Sequence, residues 1–194
     1  VKMAQIVSDI CPREKEFVSM MKQMREDLVR IVHGNLNQVE QILKENQDIA
    51  LVYTTHNETG TDILNPIKEI GFLVQKYSAV FIVDTISTYA MKPIDIEKDN
   101  IDFCMASAQK GLMAMTGLSF VIGNTELIKK SAAYPKRSYY RNLYMQYHFF
   151  ETTAQMYFTP PVQTIYAARQ ALDEYFREGE ESKWKRHSEV FEAI

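Results

Sequence analysis

The chain has 194 residues, 46% of them hydrophobic and 24% charged, with a formal net charge of −3. That is enough for one good-sized core, and the weak negative balance offers no reason to expect nucleic acid or an anionic membrane as partner. No apolar run approaches the ~20 residues that span a bilayer, and the polar start does not read as a signal peptide. Two cysteines, Cys11 and Cys104, make no disulfide framework. Cys104 lies inside an apolar run and reads as a buried thiol, so a reducing compartment, the cytoplasm, is expected.

Along the chain, Met20 to Val32 has apolar residues near helical period and ends in His33-Gly34, a plausible C-cap. Asn37 to Glu45 repeats the helical pattern. Ile49 to Tyr53 is short and apolar, the mark of a strand covered on both faces. Pro66 to Tyr77 reads as a helix with Ile67, Ile70, Leu73 and Val74 inward. Strands follow at Ala79 to Val83, Ile101 to Ala106 and Leu118 to Gly123, with a polar connection through Pro93, and Glu126 to Ser131 begins another helix. Pro160-Pro161 stops what precedes it. Val162 to Phe176 presents Ile165, Ala168, Leu172 and Phe176 as a helical face, Gly179 marks a hinge, and Lys183 to Ile194 begins a further amphipathic helix. Strands alternating with helices in this way predict an α/β fold with a mainly parallel central sheet flanked by helices.

Within that pattern, Asp84 ends one strand, and Lys110 stands 26 residues later, just beyond the next. Functional groups in open α/β sheets gather outside the carboxyl ends of parallel strands. An Asp and a Lys delivered there together suit pyridoxal phosphate, whose aldehyde needs a lysine and whose ring nitrogen needs a carboxylate. Taken singly, the Asp reads as a helix N-cap and the lysine as solvated surface.

The flanks carry a resemblance. His56-Asn57-Glu58-Thr59-Gly60-Thr61, Ile63-Leu64-Asn65-Pro66-Ile67, Val83-Asp84-Thr85-Ile86-Ser87, Ser107-Ala108-Gln109-Lys110-Gly111 and Thr159-Pro160-Pro161 resemble the class V (fold-type I) pyridoxal-phosphate-dependent aminotransferases. Ser8 to Phe17 and Arg137-Ser138-Tyr139-Tyr140 with Leu143-Tyr144 add to it, and the most similar branch transfers the amino group of 2-aminoethylphosphonate to pyruvate. The resemblance implies pyridoxal 5′-phosphate as cofactor, an amino donor and a 2-oxo acid as substrates, and a homodimer with shared active sites. It implies Lys110 as the catalytic residue, Asp84 on the ring nitrogen, Thr59 on the phenolic oxygen, and Ile86, Ser107 and Gln109 as further cofactor contacts. Thr159 corresponds to a residue that reaches the phosphate of the neighbouring subunit's cofactor. For Thr59 the bland alternative is a threonine satisfying turn backbone, and for His56 a structural hydrogen bond is preferred over catalysis. Related cysteine desulfurases carry a histidine at the Gln109 position, so Gln109 favours transamination. Arg137 and Arg141 suit a phosphonate chemically, although a solvated surface role is preferred.

Other readings are a class V transaminase of alanine–glyoxylate or serine–pyruvate type, and a non-catalytic remnant or dimerisation scaffold. The family's glycine/serine-rich phosphate turn has no counterpart between Val32 and Asn37, and the seven glycines form no G-x-G. The family's C-terminal small domain with its carboxylate-binding arginine is also missing. The sequence therefore reads as parts of a longer protein joined end to end, with a junction close to Gly34–Asn35, or else as a fragment. The organisation expected is an N-terminal segment and helix over 1–34, an incomplete cofactor-binding large domain over 35–178, and the start of the small domain over 179–194.

Overall fold

The computed structural model describes residues 36–192 other than residue 62. The expected helix at Met20 to Val32, the junction at Gly34–Asn35 and Cys11 lie outside the described residues. The elements are α1 (Leu36–Glu45), β1 (Leu51–Thr55), β2 (Asn57–Glu58), β3 (Ile63–Leu64), α2 (Ile67–Lys76), β4 (Val80–Asp84), β5 (Phe103–Ser107), β6 (Ser119–Gly123), α3 (Thr125–Lys130), α4 (Leu143–Thr153), α5 (Val162–Glu178) and α6 (Glu180–Glu192).

The main sheet has the order β1-β4-β5-β6. The first three strands are parallel, with Thr55 opposite Asp84 and Asp84 opposite Met105, while β6 runs antiparallel to β5 with Ser107 opposite Ser119. Parallel pairing demands crossovers, which α2 and the 85–102 connection supply. Asp102 holds the start of the β4–β5 pair: its N–H donates to the Phe81 carbonyl at 2.9 Å, and its carboxylate accepts from the Phe81 N–H at 2.9 Å.

One face of the sheet carries the core. Phe81, Val83 and Cys104 pack with Ile67, Ile70 and Val74 of α2 and Leu43 of α1. Burial of each large side chain here is worth roughly 1.5–3 kcal/mol. Gly71 lets α2 approach the 85–102 connection, since a Cβ there would lie 1.9 Å from the Asp99 carbonyl oxygen. Cys104 is a free, buried thiol, and burial raises its pKa.

Two details differ from the sequence reading. The first strand runs from Leu51 to Thr55 and is not covered on both faces: Leu51 is 48% and Tyr53 54% exposed. Among the described residues it forms the edge of the sheet, and its alternate residues meet less protein than those of β4. In α5 the inward stripe ends on Tyr175, 9% exposed, and not on Phe176, 69% exposed. The spacing Ile165, Ala168, Leu172, Tyr175 keeps to one face of a helix, whereas Phe176 turns to the neighbouring one.

Asn124 caps α3 by accepting from the N–H groups of Glu126 and Leu127 at 3.0 and 3.3 Å. Helix α5 stops at Gly179, whose φ of 83° belongs to the region that favours glycine, and α6 restarts at once. Among the described residues no helix is long and apolar enough to cross a membrane.

Candidate active site

The carboxyl ends of β1, β4 and β5 meet at one edge, at Thr55, Asp84 and Ser107. The register puts Asp84 on the same sheet face as Tyr53 of β1 and Met105 of β5. Its carboxylate is held from two sides: Oδ1 accepts from the Ile86 N–H at 2.9 Å, and Oδ2 accepts from the Tyr53 hydroxyl at 3.1 Å. The first bond is the short-range turn expected of an Asp followed by a loop. Sequence reasoning missed the second, from a residue 31 positions away; the available signal was the even spacing between Tyr53 and Thr55, once Thr55 is paired with Asp84. Burial raises the Tyr53 pKa, and the adjoining Asp84 carboxylate adds to it.

The loop leaving β1 is latched onto the same edge. The His56 N–H donates to the Asp84 carbonyl at 2.8 Å, the Asn65 N–H to the His56 carbonyl at 2.7 Å, and the Asn65 side-chain amide to the Thr55 carbonyl at 2.7 Å. His56 is buried, with Nδ1 2.8 Å from the Thr88 hydroxyl, a structural tie between the two strand exits. The Thr59 hydroxyl, exposed, is 3.0 Å from that of Ser87. Thr59 therefore bonds a side chain across the edge, not its own turn backbone.

Burial pushes the His56 imidazole below its ordinary value, Asp99 opposing and Lys92 assisting. The unfolded chain thus takes up this proton at higher pH than the folded one. The stability the neutral ring contributes is complete above ~6.5 and is lost progressively as pH falls from there through the folded value. We expect the melting-temperature gap between wild type and His56→Asn to be widest above pH ~7 and to narrow toward pH ~5. A gap that stays constant over that range, followed by differential scanning fluorimetry, contradicts this assignment.

Lys110 lies in a tight turn three residues beyond the end of β5, its side chain exposed. Four contacts fix the backbone around it. The Ala108 N–H donates to the Leu118 carbonyl at 3.0 Å, the Met113 N–H to the Lys110 carbonyl at 2.8 Å, the Ala114 N–H to the Ala108 carbonyl at 2.9 Å, and Lys183 Nζ to the Gly111 carbonyl at 2.7 Å. Met113 takes a φ of 61°, a left-handed conformation uncommon for a side-chain-bearing residue. Gly111 packs so closely that a Cβ would lie 2.0 Å from the Tyr89 carbonyl oxygen. The Lys-Gly pair thus has a physical basis: only glycine lets the lysine turn settle against the connection that follows Asp84.

Of the other sequence-stated candidates, Ile86, Ser107 and Gln109 belong to this edge, Ile86 half-buried, Ser107 buried and Gln109 exposed. Thr159 belongs to the segment before α5 and is exposed, as are Arg137 and Arg141.

Two buried hydroxyls near the edge, Ser107 Oγ and Thr61 Oγ1, have no hydrogen-bond partner. A buried hydroxyl left unpaired costs about 1–3 kcal/mol, so both suit a ligand rich in acceptors. An exposed lysine in a braced turn, a doubly held carboxylate and orphaned hydroxyls fit the aldehyde, the ring nitrogen and the oxygen substituents of pyridoxal phosphate respectively.

The sequence profile of the family Aminotransferase class-V matches residues 9–193. The chain belongs to that family. It is 34% identical over 187 residues to an uncharacterized aminotransferase of Methanocaldococcus jannaschii, covering 92% of this chain and 48% of the relative. It is 37% identical over 142 residues to a 2-aminoethylphosphonate–pyruvate transaminase of Lysinibacillus sphaericus, covering 73% of this chain and 38% of the relative. Among solved structures, pyridoxamine–pyruvate aminotransferase from Mesorhizobium loti superposes with a TM-score of 0.72 at 29% identity, over 79% of this chain and 40% of that one. The chain thus spans less than half the length of these relatives.

Proposed function

We propose that this protein is a pyridoxal-phosphate-dependent aminotransferase that moves the amino group of 2-aminoethylphosphonate to pyruvate, giving phosphonoacetaldehyde and alanine. The observation that carries the reading is the delivery of Asp84 and Lys110 to one carboxyl edge of a parallel sheet in a class V aminotransferase chain. The substrate pair rests on similarity to transaminases of that name, at 37% identity for the Lysinibacillus sphaericus relative.

Bound pyridoxal phosphate supplies an aldehyde that joins the amino donor and a ring that accepts the electron pair freed at the donor carbon. Lys110 is the residue that would hold that aldehyde, and its Nζ would take the proton off the donor carbon. Asp84 would keep the ring nitrogen protonated, and Tyr53 and the Ile86 N–H fix the carboxylate for that task. Ser107, Gln109 and Thr59 would supply hydrogen bonds to the oxygen substituents, and Ile86 an apolar contact. We assign residues 35–178 to the cofactor-binding domain and 179–194 to the start of the small domain, and place the enzyme in the cytoplasm.

A screen of amino donors on the full-length protein tests the reading. Addition of 2-aminoethylphosphonate should convert the bound cofactor to its amine form, seen as loss of its visible absorbance, and pyruvate should restore it. Reaction with alanine or serine but not with the phosphonate overturns the substrate assignment.

The reading includes a homodimer in which Thr159 serves the partner's site. Its support is a string of ring contacts among Tyr139, Tyr140, Phe149, Tyr157 and Phe158, in which Tyr139 is 76% and Tyr140 66% exposed. Exposed aromatic patches of this kind suit an interface. Lys110→Ala and Thr159→Ala proteins, each impaired alone, should complement when their subunits are exchanged. In a two-fold dimer with shared sites, one site in each mixed dimer has both residues intact, giving about a quarter of wild-type activity. No recovery on mixing means that Thr159 does not act across the interface.

A further inference from the structure

Lys183 is a buried cation without an anion. It lies in the first turn of α6 with 3% of its surface exposed, and its one side-chain hydrogen bond among the described residues runs from Nζ to the Gly111 carbonyl, 72 residues away in sequence. A buried ammonium ordinarily sits against a carboxylate, because desolvation of an unpaired charge is expensive. Among the described residues, Lys183 has no ion pair. The nearby Glu178 carboxylate is taken by Arg186, at 2.7 and 2.9 Å. Glu178 still attracts Lys183 at longer range and Arg186 repels it. The Tyr175 ring lies 5.1 Å below Nζ, with its own hydroxyl donating to Glu180 at 3.1 Å. Burial lowers the Lys183 pKa. The charge is thus accommodated by a carbonyl dipole and a π face, an arrangement that neutral methylene packing could replace at no loss of stability.

What the ammonium holds is the carbonyl of Gly111, the residue that follows Lys110. The other hydrogen bonds of that turn are short-range, from Met113 to Lys110, Ala114 to Ala108 and Ala108 to Leu118. Lys183 contributes the bond from a distant element, and it arrives at the carbonyl of the Gly111–Leu112 peptide, one residue beyond Lys110, at the glycine that packs against the Tyr89 carbonyl. A 2.7 Å bond tolerates little displacement, so the seat of α6 and the aim of the Lys110 side chain move together.

We propose that Lys183 is a positioning residue for Lys110, tying the helix after Gly179 to the turn that presents the reactive amine. The role rests on the assignment of Lys110 as the cofactor-binding lysine. It makes the turn one mechanical unit with α6, so that displacement of α6 loosens the lysine without touching it.

The test compares wild type, Lys183→Met and Lys183→Arg in the full-length protein. Pyridoxal phosphate followed by borohydride fixes the cofactor on reactive lysines, and peptide mass spectrometry reads the rate at Lys110 against that at exposed Lys68. Amide exchange at Met113 and Ala114 reads the turn itself, and melting without cofactor reads the fold. Lys183→Met should melt within a few degrees of wild type, label Lys110 about tenfold more slowly with Lys68 unchanged, and exchange Met113 and Ala114 about tenfold faster. Lys183→Arg keeps a donor for the carbonyl and should recover most of both rates. Wild-type labelling and exchange in folded Lys183→Met overturn the proposal. Should Lys183→Met fail to fold, Lys183→Leu, which also removes the donor, carries the same comparison, slowed Lys110 labelling supporting the tie and unchanged labelling overturning it. Failure of wild type to label at Lys110 refutes the cofactor assignment instead, and with it this role; the exchange rates then report only whether the tie to the turn exists.

Discussion

Lys110→Arg should abolish transamination while leaving the fold intact. Arginine keeps the positive charge and most of the length, but its guanidinium neither joins an aldehyde under these conditions nor releases a proton readily. Loss of a positioned proton-transfer group alone costs up to about 10⁴-fold in rate, and the covalent holding of the cofactor is lost with it. The Lys110 side chain is exposed and makes no hydrogen bond among the described residues, so the melting temperature of the cofactor-free protein should not move. Steady-state kinetics and thermal melting of the same preparation decide the matter. Turnover within tenfold of wild type would remove Lys110 from the reaction.

Gly111→Ala should be the most damaging single-methyl change at the site. The added Cβ would stand 2.0 Å from the Tyr89 carbonyl oxygen and 2.5 Å from Met91 Cγ. Met91 is flexible, but the carbonyl is backbone, fixed by a connection that begins at Asp84. Relief requires the lysine turn to lift, straining the bonds from Met113 to Lys110 and from Lys183 to Gly111. Overpacking of this kind costs about 1–3 kcal/mol, or roughly 2–4 °C per kcal/mol for a protein of this size. Lys110 labelling by the cofactor should fall at the same time. Gly60→Ala is the control, since its Cβ would meet only Glu58 Oε1 at 3.8 Å; its melting temperature should match wild type. Equal behaviour of the two variants would show that the turn has slack.

Much of the architecture was legible because hydrophobic period is a local property. The strands at Val80–Asp84, Phe103–Ser107 and Ser119–Gly123 and the helices around Ile67 and Val162 stand where apolar spacing and Pro/Gly punctuation put them. The sheet edge was misjudged because burial on both faces depends on neighbours: Ile49 to Tyr53 is as apolar as Ala79 to Val83, yet one lies at the edge and the other inside. The end of the α5 stripe was a matter of phase, one residue's rotation separating Tyr175 from Phe176.

The candidate site divides along the same line. Asp84, Ile86, Ser107, Gln109 and Lys110 are readable from sequence because each sits within a few residues of a strand end, and strand ends are set by local pattern. Tyr53 on Asp84, His56 on Thr88, and Lys183 on Gly111 were decided by the tertiary structure alone. Those partners lie 31, 32 and 72 residues apart, and a single sequence holds no record of which distant groups the sheet register and helix packing bring within 3 Å or so. Sequence determined which groups stand at the edge; the folded chain determined what holds them still, because hydrogen bonds across that distance exist only after β1 has paired with β4 and α6 has docked.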